Sequence, residues 1–222
     1  SSTVARKVAA IKSFFHYLAD RGVVGDDPTA TLDSPKVRKR LPKAVSQDDM
    51  ERLLQEPART ETPKGLRDRA LLEMLYATGL RVTELVSLNV GDVNLASATV
   101  RVAHSKDRRE RLVPIQKRAV EPLQDYKEKG RVQLLRDPEE QALFLNHRGQ
   151  RLTRQGLWLI VKHYVREVGI QEEVTPQTLR HTFAAHLLNS KADLEYVQEL
   201  LGHANISTTQ VYTQVSGDPT SD

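Results

Sequence analysis

The 222-residue chain has no cysteine. That excludes a disulfide-stapled scaffold, a thiolate zinc site and a thiol nucleophile. Long apolar runs are missing as well. No stretch approaches the roughly 18 residues of a membrane-spanning helix, and Ser1–Ala10 has no secretory h-region. Charge of one sign is scarcely in surplus: 33 Lys+Arg stand against 29 Asp+Glu, a formal net of +4. Such a balance permits a nucleic-acid partner without arguing for one, so the placement of the charges matters more than their sum. Internal repeats and low-complexity tracts are absent too. What remains is enough chain for one large domain, or a domain with a fragment of another, able to bury a core without disulfide or metal. No membrane association is expected, and the expected location is cytoplasmic.

Periodicity organises the chain. Val4, Val8, Ile11, Phe15 and Leu18 fall on one helical face, and Gly22 and Gly25 end that helix. A helix and a half is too little to form a core alone. Residues 34–43 lie between Ser34-Pro35 and Pro42-Lys43 and carry Lys36, Arg38, Lys39, Arg40 and Lys43 with no acid. Proline disfavours helix there, so the stretch reads as an extended linker: a solvated hinge, or a clamp along phosphates. Beyond it, Ser46 with Asp49 resembles a capping box for a helix through Leu54. Leu66, Ala70, Leu71, Met74 and Leu75 line the next helix, which Gly79 ends.

The period then changes. Ala98–Ala103 and Arg111–Ile115 are short β-prone runs around a charged turn at Ser105–Arg109, which predicts a hairpin. A third strand is expected at Leu143–Leu145. Helices follow, capped by Thr153, by Thr175 with Pro176 at the first helical position, and by Asp193, the last of these stopping at Gly202. A short final helix is expected from Ser207. The fold class is mainly α with a small three-stranded antiparallel sheet (α+β). Positive charge is concentrated in Lys36–Lys43 and in His104–Arg118, where six basic residues meet two acids. With the acids expected mostly elsewhere, these two stretches form a candidate DNA-facing stripe that includes Arg108, Arg109 and Arg111.

Several residues stand out. Arg81 follows a Gly-Leu pair at a helix end. Arg180 sits inside an apolar-patterned helix, where it needs an anionic partner, a structural carboxylate or a ligand phosphate. Lys106 lies at the hairpin tip, Gln177 three residues before Arg180, His203 directly after Gly202, and Tyr212 nine residues further on. His181 and His186 are five apart with no carboxylate between them, which is not a metal-binding helix spacing. Neither a metal nor a cofactor is expected.

Taken together, Tyr76–Leu88 (YATGLRVTELVSL), Ser105–Ile115 (SKDRRERLVPI), Thr175–Leu188 (TPQTLRHTFAAHLL) and Leu200–Val215 (LLGHANISTTQVYTQV) resemble the tyrosine recombinase (phage integrase) family, and most of all its Xer-like members. The resemblance covers about residues 43–215. It divides the chain into 1–33, the last helices of an N-terminal helical (SAM-like) core-binding domain; 34–43, a basic linker; and 44–222, a catalytic domain. It implies a site-specific recombinase that cuts and rejoins double-stranded DNA through a 3′-phosphotyrosyl link, as in chromosome or plasmid dimer resolution, as a homo- or hetero-tetramer on its site, associated with the nucleoid; the alternatives are a catalytically impaired DNA-binding paralogue of the same fold, or an integrase or transposon recombinase.

The same resemblance assigns roles. Arg81 and Arg180 bind the non-bridging phosphate oxygens, Tyr212 is the nucleophile, Lys106 the general acid, and His203 a hydrogen-bond donor. Glu84 is expected to orient Arg81. Two departures carry expectations of their own. Gln177 stands where the family usually has His, so weakened but live cleavage is expected, since Gln cannot take a proton near neutral pH. The residues after Tyr212, Ser216–Asp222, do not have the helical character of the family's trans-docking helix. With only the last core-binding helices at the other end, the clamp is expected to be incomplete and DNA binding weak and salt-sensitive.

Overall fold

A computed structural model describes residues 2–35, 44–103 and 110–202. The chain divides into two compact units, Ser1–Arg40 and Leu41–Asp222. In the first, helix α1 (Ser2–Asp20) carries the expected stripe and ends at Gly22, whose φ of +67° suits glycine. Asp27 accepts from the Thr29 amide and hydroxyl to shape the following turn, and Lys12 Nζ donates to the Leu32 carbonyl at 2.8 Å. Among the described residues of this unit only Thr29 is buried, while Val4, Ile11, Phe14 and Tyr17 stay about half exposed.

The second unit is built around one helix. Ser46 caps α2 (Gln47–Gln55) by accepting from the Asp49 amide at 3.1 Å. Thr62 caps α3 (Pro63–Thr78), with Pro63 at its first position, where its missing N–H costs nothing. The periodicity gives α3 one apolar face, but nearly all of it is buried, including Arg67, Asp68, Glu73 and Thr78. Its buried charges are therefore paired. Arg67 and Tyr164 donate to Asp68, and Arg118 donates to Glu73. Gly79 ends α3 in the left-handed region at φ +59°, and a Cβ there would come within 2.3 Å of Phe183.

Helix α4 (Val82–Ser87) leads into the sheet: β1 (Val93–Asn94), β2 (Thr99–Ala103) and β3 (Glu110–Pro114), antiparallel in that order. Val100 pairs with Val93 on one side and Val113 on the other. Val100, Val102 and Val113 face the core, while Arg101 and Leu112 alternate outward. The expected hairpin is present, but the third strand is Val93–Asn94, not Leu143–Leu145. The physical reason lies in the backbone partners of the latter segment. Tyr126 Oη donates to the Leu143 carbonyl and accepts from the Leu145 amide, both at 3.0 Å, Arg131 takes the Ala142 carbonyl, and Arg67 takes the Leu145 carbonyl. Side chains thus occupy groups that a neighbouring strand would need. The segment keeps only isolated bridges, one of them Leu145 to Arg151.

A helical stretch follows as α5 (Lys117–Asp125), one wide turn over Tyr126–Gly130, and α6 (Arg131–Leu134). Then come α7 (Arg154–Glu167), α8 (Pro176–Asn189) and α9 (Leu194–Leu201), capped by Thr153, Thr175 and Asp193 as expected, with Gly202 closing α9 at φ +61°. The helix expected from Ser207 lies outside the described residues.

Because Tyr126 Oη satisfies two buried main-chain groups, Tyr126→Phe strands both without changing shape. We expect a loss of about 1–3 kcal/mol in urea-unfolding free energy; a smaller change would show that water or backbone shifts replace the hydroxyl.

Candidate active site

Helix ends assemble the site. Arg81 is the N-cap of α4, two residues beyond the glycine that ends α3. Glu84 is the third residue of α4, and its carboxylate accepts from the Arg81 main-chain amide at 2.8 Å, the return half of a capping box. The same carboxylate accepts from Arg81 Nη1 at 2.9 Å. Local helix-capping physics therefore puts an acid beside this arginine, as the sequence leads one to expect. Arg81 Nη2 donates to the Gly202 carbonyl at 2.6 Å, and its side chain stays 38% exposed. It is held at one edge and open at another.

Arg180 is 6% exposed, on the buried side of α8. Its Nη1 donates to the Gly79 carbonyl and its Nη2 to the Leu201 carbonyl at 2.5 Å. These oxygens belong to the last turns of α3 and α9, which have no intrahelical donors and lie at the negative ends of the helix dipoles. The described acceptors of Arg180 include these helix-end carbonyls. The consecutive carbonyls of Leu201 and Gly202 thus serve Arg180 and Arg81 respectively, which brings the two forks to one helix end. Gln177 is exposed on α8 one turn before Arg180, a spacing that shares a face.

Charge alone groups Arg111 with the DNA-facing residues. On β3 it shares parity with the buried Val113, and its Nη1 and Nη2 both donate to Glu84 at 3.0 Å. Arg118, in the same basic stretch, pairs with Glu73 and Glu51. Charges close in sequence are here neutralised by acids distant in sequence, so the basic count of His104–Arg118 overstates the free charge. The parity of Arg111 with Val113 was the signal that could have revealed this. His181 is half buried, and burial beside Arg180 lowers its pKa. His186 is not engaged locally; its Nδ1 lies 2.7 Å from Tyr76 Oη, across the α3–α8 contact. Lys106, His203, Tyr212, Arg108, Arg109 and the linker residues Lys36, Arg38, Lys39, Arg40 and Lys43 lie outside the described residues. The described ends Ala103 and Glu110, which flank the Lys106 segment, are paired, and Gly202 directly precedes His203.

Burial alone would raise the pKa of Glu84. Hydrogen bonds from Arg111 and the Arg81 amide, with the two positive charges, outweigh that and hold the carboxyl below its ordinary value of 4.5. A depressed carboxylate contributes stability that is complete above the unfolded value and is lost as pH falls through the folded one. The stability difference between wild type and Glu84→Gln is therefore expected to be full at about pH 6 and to shrink as the pH falls below the ordinary value of 4.5 in urea melts. A difference that does not change with pH contradicts this.

A sequence profile of the phage integrase family matches residues 43–218. The chain is 54% identical over 218 residues to a tyrosine recombinase XerC from Roseiflexus sp. (strain RS-1), covering 97% of this chain and 69% of that one. It is 50% identical over 215 residues to a tyrosine recombinase XerD from Listeria innocua serovar 6a, covering 96% and 72%. Among solved structures, XerH site-specific recombinase bound to palindromic difH substrate in a post-cleavage complex superposes with a TM-score of 0.69 at 27% identity, over 80% of this chain and 51% of that one.

Proposed function

Because this chain belongs to the phage integrase family, we infer that it is a site-specific DNA recombinase that cleaves and rejoins duplex DNA. The observation that carries the reading is the convergence of Arg81 and Arg180 on the carbonyls of Leu201 and Gly202, beside an orienting Glu84. A phosphodiester gains negative charge on its non-bridging oxygens as it becomes pentacoordinate. Two planar, permanently charged forks suit those oxygens and bind that state better than the ground state. Tyr212 attacks the phosphorus, its phenol proton passing to water, and leaves a 3′-phosphotyrosyl link, while the 5′-oxygen departs with a proton from Lys106. The link conserves the energy of the broken bond, so a second 5′-hydroxyl reverses the step without a nucleotide cofactor. His203 donates a hydrogen bond to a phosphate oxygen.

Gln177 fits this scheme as a donor to the phosphate and not as a proton acceptor. General-base help is worth about 10²–10⁴-fold, so cleavage runs below the rate that a histidine at this position would give. The basic stretch Lys36–Lys43, with Arg108 and Arg109, lies along phosphates and makes binding salt-dependent. Residues 1–33 contribute the end of a core-binding domain. Exchange between two duplexes requires four strand cleavages, so the working form is a homo- or hetero-tetramer on DNA, associated with the nucleoid. No helix among the described residues is long and apolar enough to cross a membrane.

The test uses a nicked duplex carrying a site that the chain itself selects from random-sequence DNA. Wild type is expected to accumulate a covalent protein–DNA adduct and Tyr212→Phe none. Arg81→Ala or Arg180→Ala should lower the rate at least about 10²-fold. An adduct that survives Tyr212→Phe, or none from wild type, overturns the reading. Gln177→His is expected to raise the cleavage rate, and an unchanged rate would show that this position takes no part in proton transfer.

A further inference from the structure

Arg111 is built into the site more firmly than a DNA-contacting arginine needs to be. Its side chain is 17% exposed, and both terminal amino groups are committed to Glu84. Its Nε is buried with no hydrogen-bond partner among the described residues, a cost the protein accepts. The guanidinium also lies against Gly202: a Cβ there would come within 3.0 Å of Arg111 Cζ. One side chain from β3 thus touches the acid that holds Arg81 and the residue whose carbonyl Arg81 binds.

The electrostatics give this placement a purpose. A carboxylate paired with Arg81 alone would orient it but also cancel its charge, and a phosphate would then have to compete with Glu84 for the fork. A second guanidinium on the same carboxylate changes the balance. Arg81, Arg111 and Glu84 together keep a formal +1, and Glu84 contributes direction more than neutralisation. Of the interactions favouring the Glu84 carboxylate form, the Arg111 hydrogen bond is the largest.

We propose that Arg111 is a positioning residue for cleavage: by occupying both oxygens of Glu84 it lets that carboxylate orient Arg81 without neutralising it, and by packing on Gly202 it sets the β3 side of the site against the end of α9. This rests on the reading of Arg81 as a phosphate-binding residue. A phosphate-contacting Arg111 would act on binding. A positioning Arg111 acts on the rate once DNA is bound.

The full chain with the nicked duplex described above separates these roles. At saturating DNA, R111Q is expected to slow adduct formation at least about tenfold, with Kd and its salt slope unchanged within about twofold. E84Q/R111Q is expected to be faster than R111Q, because removing the carboxylate restores the charge on Arg81. R111K, with the charge but not the fork, should fall between wild type and R111Q. A weaker Kd and a salt slope shallower by about one contact, with the saturated rate intact, would make Arg111 a phosphate contact and overturn the proposal. So would an E84Q/R111Q variant no faster than R111Q. Melting curves report whether R111Q folds; should it fail, R111K must still slow cleavage at unchanged Kd, and a wild-type rate for R111K overturns the proposal. Absence of any wild-type adduct overturns the recombinase reading and this one with it. A wild-type adduct with an undiminished R111Q rate removes only the assignment of Arg111.

Discussion

A guanidinium as buried as that of Arg180 needs its N–H groups bound to acceptors, yet in its proposed phosphate-binding role it must not have its charge cancelled in advance. These demands conflict if the acceptor is a carboxylate. Here the acceptors include the Gly79 and Leu201 carbonyls, at the ends of α3 and α9. A helix terminus carries about half an elementary charge, spread over several carbonyls. It satisfies hydrogen bonds at full geometric value but offsets only part of the guanidinium charge. The arrangement of the site follows from this. Two helices must end at the same place, and the chain must turn away from each end without obstructing the arginine.

The glycines make those turns. Gly79 and Gly202 both adopt left-handed φ values, which side chains other than Gly tolerate poorly. At both positions the space that a Cβ would take is used: by the Phe183 ring at Gly79, and by the Arg111 guanidinium at Gly202. Each glycine thus ends a helix and lets a neighbour approach closely. Coming two residues before Arg81 and one before His203, they also fix where the chain leaves each helix. The α3 core of buried leucines anchors one of these ends, and the short α9 packs on α8 to supply the other.

Much of this was legible in the sequence, because local rules and tertiary structure agree there. Thr153, Thr175 and Asp193 cap the helices their side chains can cap, and Arg180 stands out as a charge on an apolar-patterned helix. Where reading failed, the cause is through-space compensation. Leu143–Leu145 has a strand's composition, but three of its main-chain groups go to the Tyr126 and Arg67 side chains from other elements. A two-residue strand such as Val93–Asn94 is too short to show a period. In the linear sequence Arg111 and Arg118 count as free charge, because their partners Glu84, Glu73 and Glu51 lie 27 to 67 residues away. Linear charge counts fail where a stretch folds back onto acids, and strand parity corrects them.

The charge carried by these side chains matters as much as their orientation. The guanidiniums of Arg81, Arg111 and Arg180, set against the Glu84 carboxylate, leave a formal +2 among these four side chains. A phosphodiester brings a single negative charge in its ground state and approaches two as an anionic nucleophile adds to phosphorus. In the proposed role, the +2 of these four described side chains exceeds the charge of the substrate and matches that of the transition state, the direction that raises a rate and not merely an affinity. Removing Glu84 would raise that surplus but loosen Arg81. Removing Arg111 would halve it while leaving Arg81 in place. Glu84 acts on both orientation and charge and Arg111 on charge, so comparing their variants separates the two contributions.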